Sequence, residues 1–390
     1  MRAVVLAAGE GKRMRPLTAN RPKVLLPVAG VPLLERLLDA LGEAGVDDVT
    51  LVTHYKEEAV RSAFGSRVRY ARQAAPRGTA DAVAAAGPFP EDTLVVNGDC
   101  LFEPKTLAAL AAGGPAVTAF RAAEPERYGV FSVKDGRATG VVEKSPKPPS
   151  NLANAGAYVV PAGFERDLAA VKPSPRGELE LTDALNGAIA RGVVFRLVEI
   201  AEWIEIGYPW DILSATERIL ARLKGRIEGT VEPGAVLKGE VYVGPGAVVK
   251  SGTYVEGPAW IGPDCVVGPN CYIRPNTALS RGAKVGNACE IKASVLMEGA
   301  HAAHLAYVGD SVIGARANLG AATVVANLRH DGRSVKVTTP EGERVDTRRR
   351  KMGVVLGDDV HTGINTSLNV GVILSAGSTT RPGEVVTASR

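Results

Sequence analysis

Hydrophobic residues follow two different patterns along the chain. Up to about residue 225, short β-branched runs alternate with segments whose apolar positions recur at helical spacing. The runs predict strands at residues 3–8, 49–53, 94–97, 117–121, 129–133, 156–160 and 194–200, and the helical segments include residues 33–44, 79–86, 181–190 and 209–223. This alternation predicts a Rossmann-like α/β domain over residues 1–225 with a mostly parallel sheet, whose ligands bind beyond the carboxyl ends of the strands.

The second pattern is a repeat of six residues that begins after Gly225. A branched or aliphatic residue stands at every sixth position, at Val231, Leu237, Val243, Val249, Val255, Ile261, Val267, Ile273, Leu279, Val285 and Ile291. Neither a helix nor an ordinary strand has this period, whereas one short strand plus one corner has it, and three such units close a triangular coil. The repeat therefore predicts a parallel β-helix over residues 226–390.

Small residues occupy a second slot of the repeat, four positions after each aliphatic residue. They are Ala247, Thr253, Ala259, Cys265, Cys271, Thr277, Ala283 and Cys289. We expect this slot to fill the tight interior near the corners, so three of the four cysteines are small core residues. None of the four, Cys100 included, has C-x-x-C spacing, which argues against zinc. Glycine after the aliphatic position, as at Gly262 and Gly268, indicates corners that need a permissive backbone.

The six-residue phase is interrupted in two places. It slips after Ile291 and resumes at Ile313, Leu319 and Val325; a polar insertion then covers about residues 329–351, and repeat character returns near Leu356, Leu368 and Leu374. Insertions in a solenoid become loops on one face, often the functional one. We therefore look for chemistry in this part of the coil.

Composition and charge exclude some classes of function. With 45% hydrophobic and 23% charged residues, the chain has the composition of a soluble globular protein, and its 390 residues suit two domains. No apolar stretch reaches the length of a membrane span, and the apolar N-terminal run is too short for an export signal, so a cytoplasmic location is expected. A net charge of +4 does not indicate a nucleic-acid partner.

A glycine-rich turn with basic residues follows the first predicted strand. The sequence LAAGEGKRMRPLT brings Arg13 and Arg15 close to the turn, and Lys23 follows. Backbone N–H groups in such a turn form an anion-binding concavity, and the cations add charge where phosphates are held. The turn is not a P-loop, because no G-K-[ST] follows at the required spacing. Alone, it is also compatible with a plain turn beside surface arginines.

Further motifs accompany the turn in the order RPKVLLPVAGVPLL, RGTADAV, VVNGDCLF, VVEKS and LANAGAYV. Together they resemble the sugar-1-phosphate nucleotidylyltransferase family over the whole first domain. The resemblance implies nucleotide contacts at Leu6, Ala8, Gly9, Gly11, Gln73, Gly78 and Thr79, phosphate contacts at Arg13 and Lys23, sugar contacts at Glu143, Asn154 and Gly156, and Mg²⁺ ligands at Asp99 and Glu205. The sugar phosphate would attack the α-phosphorus and release pyrophosphate. Because this nucleophile is already anionic, no general base is required.

Two positions depart from the family pattern. Lys12 stands where relatives often have Thr or Ser, and Glu205 stands where many have Asp. Glu reaches one carbon further, so a role as second metal ligand is possible but less well defined. Asp211, six residues later, is expected to begin a helix, since an acidic residue suits a first turn.

A second set of motifs lies where the repeat slips. The segment contains H-x-x-Y-x-G-D, then N-x-G-A, then a further Asn, and it resembles the acetyltransferase half of bifunctional uridylyltransferase/glucosamine-1-phosphate acetyltransferases. The later TRRRKMGVVLGDDVHTGIN resembles their archaeal branch. The resemblance implies a left-handed β-helix, acetyl-CoA as co-substrate, His304 as base, Tyr307 as a substrate contact, Arg274 and Lys292 on the sugar phosphate, and Asn318 and Asn327 on the sugar or acetyl donor.

The chemistry of this second set is coherent without the family. An amine attacks a thioester only when it is unprotonated, and a histidine that titrates near neutrality can accept its proton. His304 by itself is equally a surface histidine, and His301 is given no role. The basic run 348–351 is by default a solvated hairpin, with contacts to the phosphates of CoA as the alternative.

These features lead to one interpretation and two alternatives. The interpretation is a bifunctional enzyme that acetylates glucosamine 1-phosphate, with galactosamine 1-phosphate left open, and couples the product to UTP. Homotrimers with acetyl-transfer sites between subunits are expected from resemblance. The first alternative is a glucose-1-phosphate thymidylyltransferase or uridylyltransferase with a non-catalytic β-helix, because Gln73 can pair with either pyrimidine. The second is an inactive sugar-nucleotide sensor.

Overall fold

The chain folds into two compact units, and the computed structural model describes all 390 residues. The first unit comprises Met1–Glu10, Pro22–Leu25 and Leu33–Glu205, and the second comprises Gly11–Arg21, Leu26–Pro32 and Ile206–Arg390. The contacts therefore divide the chain before the helix at residues 211–220 rather than after it. The domain boundary at residue 225 stays a prediction based on the change of sequence pattern.

Seven α-helices and thirteen strands precede the coil. The helices are α1 (Leu33–Glu43), α2 (Glu57–Phe64), α3 (Thr79–Ala84), α4 (Pro104–Ala111), α5 (Glu165–Ala170), α6 (Leu181–Ala190) and α7 (Asp211–Leu220). The strands are β1 (Arg2–Leu6), β2 (Pro27–Val28), β3 (Val31–Pro32), β4 (Asp48–Thr53), β5 (Arg69–Arg72), β6 (Thr93–Asn97), β7 (Cys100–Leu101), β8 (Ala116–Arg121), β9 (Gly129–Lys134), β10 (Arg137–Glu143), β11 (Leu152–Val160), β12 (Phe195–Glu199) and β13 (Ile204–Glu205). As predicted, α7 begins at Asp211. None of the helices combines the length and apolar character that a membrane span requires.

The first unit is built on a nine-stranded sheet in the order β5-β4-β1-β6-β11-β8-β12-β10-β9. The β5-β4-β1-β6 part is parallel, but β11 runs antiparallel to both β6 and β8, and β10 is antiparallel to β12 and β9. The sheet is therefore mixed, and the prediction of a mostly parallel sheet was wrong. Most of β11 is buried on both faces, so this antiparallel strand shows the continuous apolar run that is typical of parallel strands.

The sheet is covered on both faces by apolar side chains. Val5 packs in one cluster with the leucines of α1, whereas the adjacent Val4 packs in the other, with Phe131 and Phe195. Alternate side chains of a strand point to opposite faces, so a strand buried on both faces reads as a continuous apolar run. This explains why the run Ala3–Leu6 shows no alternation.

The coil contains the remaining strands. They are β14 (Arg226–Ile227), β15 (Thr230–Val231), β16 (Val236–Lys238), β17 (Val241–Val243), β18 (Val248–Val249), β19 (Tyr254–Glu256), β20 (Ala259–Ile261), β21 (Val266–Val267), β22 (Tyr272–Ile273), β23 (Thr277–Leu279), β24 (Lys284–Asn287), β25 (Glu290–Lys292), β26 (Val295–Leu296), β27 (His301–His304), β28 (Tyr307–Gly309), β29 (Val312–Ile313), β30 (Asn318–Leu319), β31 (Val324–Val325), β32 (Lys336–Thr338), β33 (Arg344–Asp346), β34 (Val355–Leu356), β35 (Ser367–Leu368), β36 (Ile373–Leu374) and β37 (Val385–Val386). All but the β32–β33 hairpin form three parallel sheets, in the orders β14-β17-β20-β23-β26-β29-β34-β36, β15-β18-β21-β24-β27-β30 and β16-β19-β22-β25-β28-β31-β35-β37. We call these the first, second and third sheets of the predicted left-handed β-helix.

The repeat slip has a defined structural form. In the regular part, stacked residues are 18 positions apart, as for Ile273 and Ile291, but Ile291 stacks on Val308, 17 positions later. One residue is missing between Ile291 and Leu296, and another between Val308 and Ile313, so both shortened corners join the third sheet to the first. The insertion after Val325 leaves from the same corner. One edge of the coil therefore carries all three interruptions.

The corners use glycine only partly as predicted. Gly262 follows its aliphatic residue without a positive φ; a Cβ there would lie 2.7 Å from the carbonyl oxygen of Leu279 in the next coil. Positive φ values recur instead three positions after the aliphatic residue, as at Asp264 and Asn270. Gly268 does adopt a positive φ (99°), as predicted, whereas Gly262 is required by close packing of coils rather than by backbone conformation. The small slot is confirmed: Cys265, Cys271 and Cys289 are free and buried in the core.

Candidate functional site

The glycine-rich turn begins where β1 ends. Around Gly9 the space is open, with no heavy atom within 4 Å of the position of a Cβ. Gly11 adopts the left-handed conformation (φ 62°, ψ 43°), and Thr18 donates a hydrogen bond from its hydroxyl to the Gly11 carbonyl oxygen at 2.9 Å. The exposed Arg13 guanidinium lies 5.3 Å from the centre of the Tyr208 ring, within the second unit. The turn therefore leaves backbone and charge open to solvent.

A cavity of about 280 Å³ in the first unit lies at the carboxyl ends of β1 and β6. Its lining includes eight predicted residues: Leu6, Ala8, Gly9, Lys23, Gln73, Gly78, Thr79 and Asp99. We call it the nucleotide cavity. Asn97 and Glu178 also line it and were not predicted, whereas Gly11 and Arg13 do not line it. Residues from five separate segments of sequence thus meet at one edge of the sheet.

Lys23 and Asp99 form the ion pair at the centre of this lining. The Lys23 ammonium donates to Asp99 Oδ2 at 2.6 Å, and the Lys23 side chain is 11% exposed. Burial by itself raises the pKa of the Asp99 carboxyl, but the charge and hydrogen bond of Lys23 outweigh burial, so the net pKa is lowered. Asp99 is therefore a carboxylate, as a metal ligand must be.

Glu205 is placed next to Asp99 by a short antiparallel pair. Strand β13 pairs with β7 so that Glu205 lies opposite Cys100, the residue after Asp99. Two carboxylates on adjacent backbone suit Mg²⁺, which is commonly held by one or two carboxylates together with substrate phosphates. The two predicted ligands, 106 positions apart in sequence, therefore fit such an ion.

Gln73 is fixed by its surroundings rather than free in the cavity wall. Its side-chain nitrogen donates to the Gly78 carbonyl oxygen at 3.1 Å and to Asp81 Oδ2 at 2.8 Å, and the residue is 3% exposed. Gly78 has φ +127°, and a Cβ there would lie 2.4 Å from the carbonyl oxygen of Leu179. Asp81, which the sequence reading missed, thus holds the amide that was predicted to contact the base.

The predicted sugar residues of the first unit lie on β10 and β11. Asn154 donates from Nδ2 to the Tyr158 hydroxyl at 2.7 Å, and its Oδ1 accepts the Gly156 N–H at 3.0 Å. At Gly156, with φ +84°, a Cβ would lie 2.5 Å from Asn97 Nδ2. Because Asn97 lines the nucleotide cavity, Gly156 and Asn154 stand just behind its wall.

Glu143 lines a second, charged cavity of about 670 Å³ together with Lys144, Arg176 and Glu180. Arg176 lies 3.4 Å from Glu143 and 2.8 Å from Glu180. Burial raises the pKa of Glu143, while Arg176 and Lys144 lower it; the net pKa is raised. The sequence reading missed Arg176, whose charge partly offsets the rise that burial causes in the pKa of Glu143.

One short segment before α6 lines both cavities. Arg176 and Glu180 line the charged cavity, while Glu178, between them, lines the nucleotide cavity. The segment is bonded to the loop around Gly78: Leu179 N–H donates to the Arg77 carbonyl oxygen and Ala80 N–H to that of Leu179, both at 2.8 Å. We call residues 176–181 the bridging segment. Its backbone fixes the spacing between the two cavities.

Four predicted residues of the second unit gather on the outer face of the third sheet. Arg274 and Lys292 are one coil apart; Arg274 donates to Glu290 at 2.8 Å and Lys292 to Asp310 at 2.8 Å. Asn327 donates from Nδ2 to Asp310 Oδ2 at 2.6 Å and to the Tyr307 hydroxyl at 3.2 Å. We call Arg274, Lys292, Tyr307, Asp310 and Asn327 the coil cluster. Asp310 is the last residue of the H-x-x-Y-x-G-D motif, but no role was predicted for it.

His304 and Asn318 lie on the second sheet and are not bonded to the coil cluster. His304 is exposed at the end of β27, three residues before Tyr307, and Asn318 stacks on His301 rather than on His304. Burial and the charge of Lys284 lower the pKa of His301. The predicted grouping of His304 with Lys292, Tyr307 and Asn318 is thus spread over two faces of the coil.

The basic run 348–351 was predicted as a solvated hairpin, but it follows the β32–β33 hairpin, and one of its arginines is largely buried. Arg349 donates to Glu217 at 2.6 Å and to the Ser214 hydroxyl at 2.8 Å, and its side chain is 15% exposed. It therefore ties the insertion to α7 within the second unit, and only its neighbours remain on the surface. Because Arg349 is paired within the unit, at most three of the four cations of this run can contact the phosphates of CoA.

Known proteins match the chain in both halves. A nucleotidyl transferase family model matches residues 2–222, and a GMPPB C-terminal domain model matches residues 255–382. A bifunctional protein GlmU of Methanocaldococcus jannaschii is 40% identical over 95% of this chain and 91% of its own length. A bifunctional sugar-1-phosphate nucleotidylyltransferase/acetyltransferase of Sulfurisphaera tokodaii is 37% identical over 99% and 97%, and a bifunctional protein GlmU of Paraburkholderia phytofirmans is 33% identical over 99% and 93%. The chain therefore belongs to the nucleotidyl transferase family, among the bifunctional sugar-1-phosphate nucleotidylyltransferase/acetyltransferases.

Proposed function

We propose that this enzyme acetylates glucosamine 1-phosphate with acetyl-CoA and couples N-acetylglucosamine 1-phosphate to UTP, giving UDP-N-acetylglucosamine and pyrophosphate. The observation that carries the proposal is the nucleotide cavity, where Gly9, Lys23, Gln73 and Asp99 share one lining. The full-length relatives support two activities on one chain. They do not favour the alternatives of a non-catalytic β-helix or an inactive sensor.

Nucleotidyl transfer needs positioning and charge neutralisation. An anionic phosphate oxygen of the sugar phosphate forms a bond to the α-phosphorus of UTP, the bond to the β-phosphate oxygen breaks, and pyrophosphate leaves. Lys23 and Arg13 neutralise phosphate charge, the Gly9–Gly11 turn offers N–H donors, and Gln73 contacts the base. Asp99 and Glu205 would hold Mg²⁺, which when bound draws negative charge off the phosphates. Glu143, Asn154 and Gly156 orient the sugar.

Acetyl transfer needs an unprotonated amine. In the proposal His304 accepts a proton from the amino group, the amine nitrogen forms a bond to the thioester carbon, and the carbon–sulfur bond breaks to release CoA. Arg274 and Lys292 hold the substrate phosphate, Tyr307 and Asn327 contact the sugar, and Asn318 contacts the sugar or the acetyl donor. His304 is exposed in one subunit, which suits a site completed by a second copy.

A cytoplasmic homotrimer is part of the proposal. The outer face of the third sheet supports it, since apolar side chains are exposed there along one stacked column. They are Val236 (48%), Tyr254 (38%), Val324 (46%) and Val385 (67%). Glu290, Tyr307 and Ser367 divide this column, so the exposed apolar residues form separate groups, and the resemblance is the main support for the homotrimer.

The two activities are separable by one experiment with two variants. With glucosamine 1-phosphate, acetyl-CoA, UTP and Mg²⁺ supplied, we expect Asp99→Asn to lower pyrophosphate release about a thousandfold and to keep thiol release. His304→Ala is expected to lower thiol release at least about a hundredfold and to keep pyrophosphate release when N-acetylglucosamine 1-phosphate is supplied in place of glucosamine 1-phosphate. His301→Ala, on the same strand, is the matched control and should change neither rate.

The wild-type enzyme decides between the parts of the proposal. Absence of thiol release would remove the acetyltransferase assignment. Absence of pyrophosphate with every sugar 1-phosphate and triphosphate tested would remove the nucleotidyltransferase assignment. Faster release with dTTP and glucose 1-phosphate than with UTP and N-acetylglucosamine 1-phosphate would replace the substrates.

A further inference from the structure

Asp310 occupies a corner of the coil that is held unusually firmly. It lies in the second shortened corner, with φ 51°, and is 4% exposed. Its N–H donates to the Lys292 carbonyl oxygen at 2.9 Å, and its own carbonyl oxygen accepts the Gly353 N–H at 2.8 Å. The backbone of Asp310 is thereby fixed by the coils on both sides, and its carboxylate can move very little.

Both long-range partners of this carboxylate are residues proposed to contact substrate. Asp310 Oδ2 accepts Lys292 Nζ at 2.8 Å and Asn327 Nδ2 at 2.6 Å, and the Lys292 side chain is 17% exposed. Asn327 also bonds to Tyr307 at 3.2 Å. Two side chains from different coils are thus oriented directly by one acceptor, and Tyr307 is linked to it through Asn327.

We propose that Asp310 is a positioning residue for acetyl transfer, which fixes the Lys292 ammonium and the Asn327 amide where the sugar phosphate binds. This rests on the acetyl transfer proposed above. A lysine side chain without a partner loses conformational entropy about several rotatable bonds when it binds a phosphate. Lys292 is already ordered by Asp310, so its entropy loss on binding is smaller. The ammonium has three N–H donors, so one bond to Asp310 leaves two for phosphate oxygens.

Charge alone predicts the opposite effect to positioning. Asp310 places a negative charge beside the cation that would hold an anionic substrate, so its removal would strengthen phosphate binding if electrostatics dominated. If positioning dominates, its removal weakens binding, because Lys292 loses its anchor and two donors compete for a neutral acceptor. The direction of the change in KM therefore tells the two apart.

The test uses Asp310→Asn in the full-length enzyme, which keeps the shape of the side chain and tolerates a positive φ. We expect the KM for glucosamine 1-phosphate to rise about 10- to 100-fold, with smaller changes in kcat and in the KM for acetyl-CoA. The matched control is Asp359→Asn. Asp359 also has a positive φ (58°) and an arginine partner, Arg316 at 2.6 Å, but lies outside the coil cluster. Its KM values should stay within twofold of wild type.

A double-mutant cycle distinguishes positioning from a purely structural role, because only positioning through Lys292 makes the effects of the two substitutions depend on each other. If Asp310 acts through Lys292, Asp310→Asn should have much less effect in a Lys292→Met background than in the wild type. Equal effects in both backgrounds, or a KM that is unchanged or lower in Asp310→Asn, would overturn the proposal. An inactive wild-type acetyltransferase would instead overturn the proposed function, so the two failures are distinguishable.

A folding defect would not hide the answer. If Asp310→Asn melts at a lower temperature than Asp359→Asn, the KM for glucosamine 1-phosphate is measured in Asp310→Glu instead. This variant keeps the charge but displaces the carboxylate by one methylene. Positioning predicts a raised KM for glucosamine 1-phosphate in that variant as well. A wild-type KM there means that the exact place of the carboxylate does not matter for substrate binding and overturns the proposal.

Discussion

The nucleotide cavity and the coil cluster gather their residues from the chain in different ways. The cavity draws on segments near residues 6–9, 23, 73–79 and 97–99, which meet because β1, β4 and β6 are neighbours in the sheet and α3 follows β5. In the coil cluster, Lys292 follows Arg274 by 18 residues, and Gly309, next to Asp310, stacks on Lys292 17 residues later, because each coil stacks on the last. The nucleotide cavity therefore depends on the order of strands in the sheet, and the coil cluster depends on the number of residues in each coil.

Because of this difference, substitution of a glycine is expected to have different consequences at the two sites. At Gly78 an added Cβ would meet backbone of the bridging segment, which cannot rotate away. At Gly309 a Cβ would meet Asn327 Nδ2 at 2.5 Å and the Tyr307 hydroxyl at 2.7 Å, which are the ends of side chains. Substitution should therefore damage the fold in the first case and only the site in the second.

The largest effect is expected for Gly78→Ala. A non-glycine residue at φ +127° is strained, and the contact with Leu179 adds to the strain, so we expect the free energy of unfolding to fall by more than about 3 kcal/mol. Nucleotidyl transfer should be lost with it. Thermal unfolding followed by circular dichroism, together with pyrophosphate release, measures both. Gly113→Ala, where nothing lies within 4 Å of the Cβ position, is the control. Wild-type stability in Gly78→Ala would refute the clash.

Gly309→Ala is expected to have an intermediate effect. Asn327 and Tyr307 can move aside, so the free energy of unfolding should fall by less than about 2 kcal/mol. Their displacement should lower the rate of thiol release roughly a hundredfold, because the substrate contacts are misplaced. Equal losses of stability in the two glycine variants would erase the distinction between the sites.

The smallest effect is expected for Arg176→Gln in the charged cavity. Arg176 lowers the pKa of Glu143, which burial raises, so its removal raises that pKa further. Glu143 is ionised above its pKa; the acid limb of the pH profile should therefore move to higher pH, and the KM for the sugar 1-phosphate should rise about two- to fivefold near pH 5.5 and less at pH 8. Arg121→Gln, which removes an exposed pair with Glu199, is the control. A KM change that is independent of pH would show that Arg176 acts on the substrate itself.

Much of the coil was predictable because its register follows from the six-residue spacing of aliphatic residues in the sequence. Each aliphatic position from Val243 to Ile291 is buried, and the slip after Ile291 marks the shortened corners beside Lys292 and Asp310. In the first unit, the motifs predicted the eight cavity residues but not the direction of β11. Nor did they identify Asp81 and Arg176, whose roles depend on contacts between distant segments.

The sequence by itself determined the two classes of structure, the phase of the repeat and the residue types at both sites, since these follow from local patterns of polarity and spacing. The tertiary structure decided which polar groups are paired. Lys23 meets Asp99 across 76 positions, Glu205 comes beside it through two short strands, and Asp310 gathers Lys292 and Asn327. Ion pairs and hydrogen bonds act over a few ångströms in space, so only the packed chain defines them.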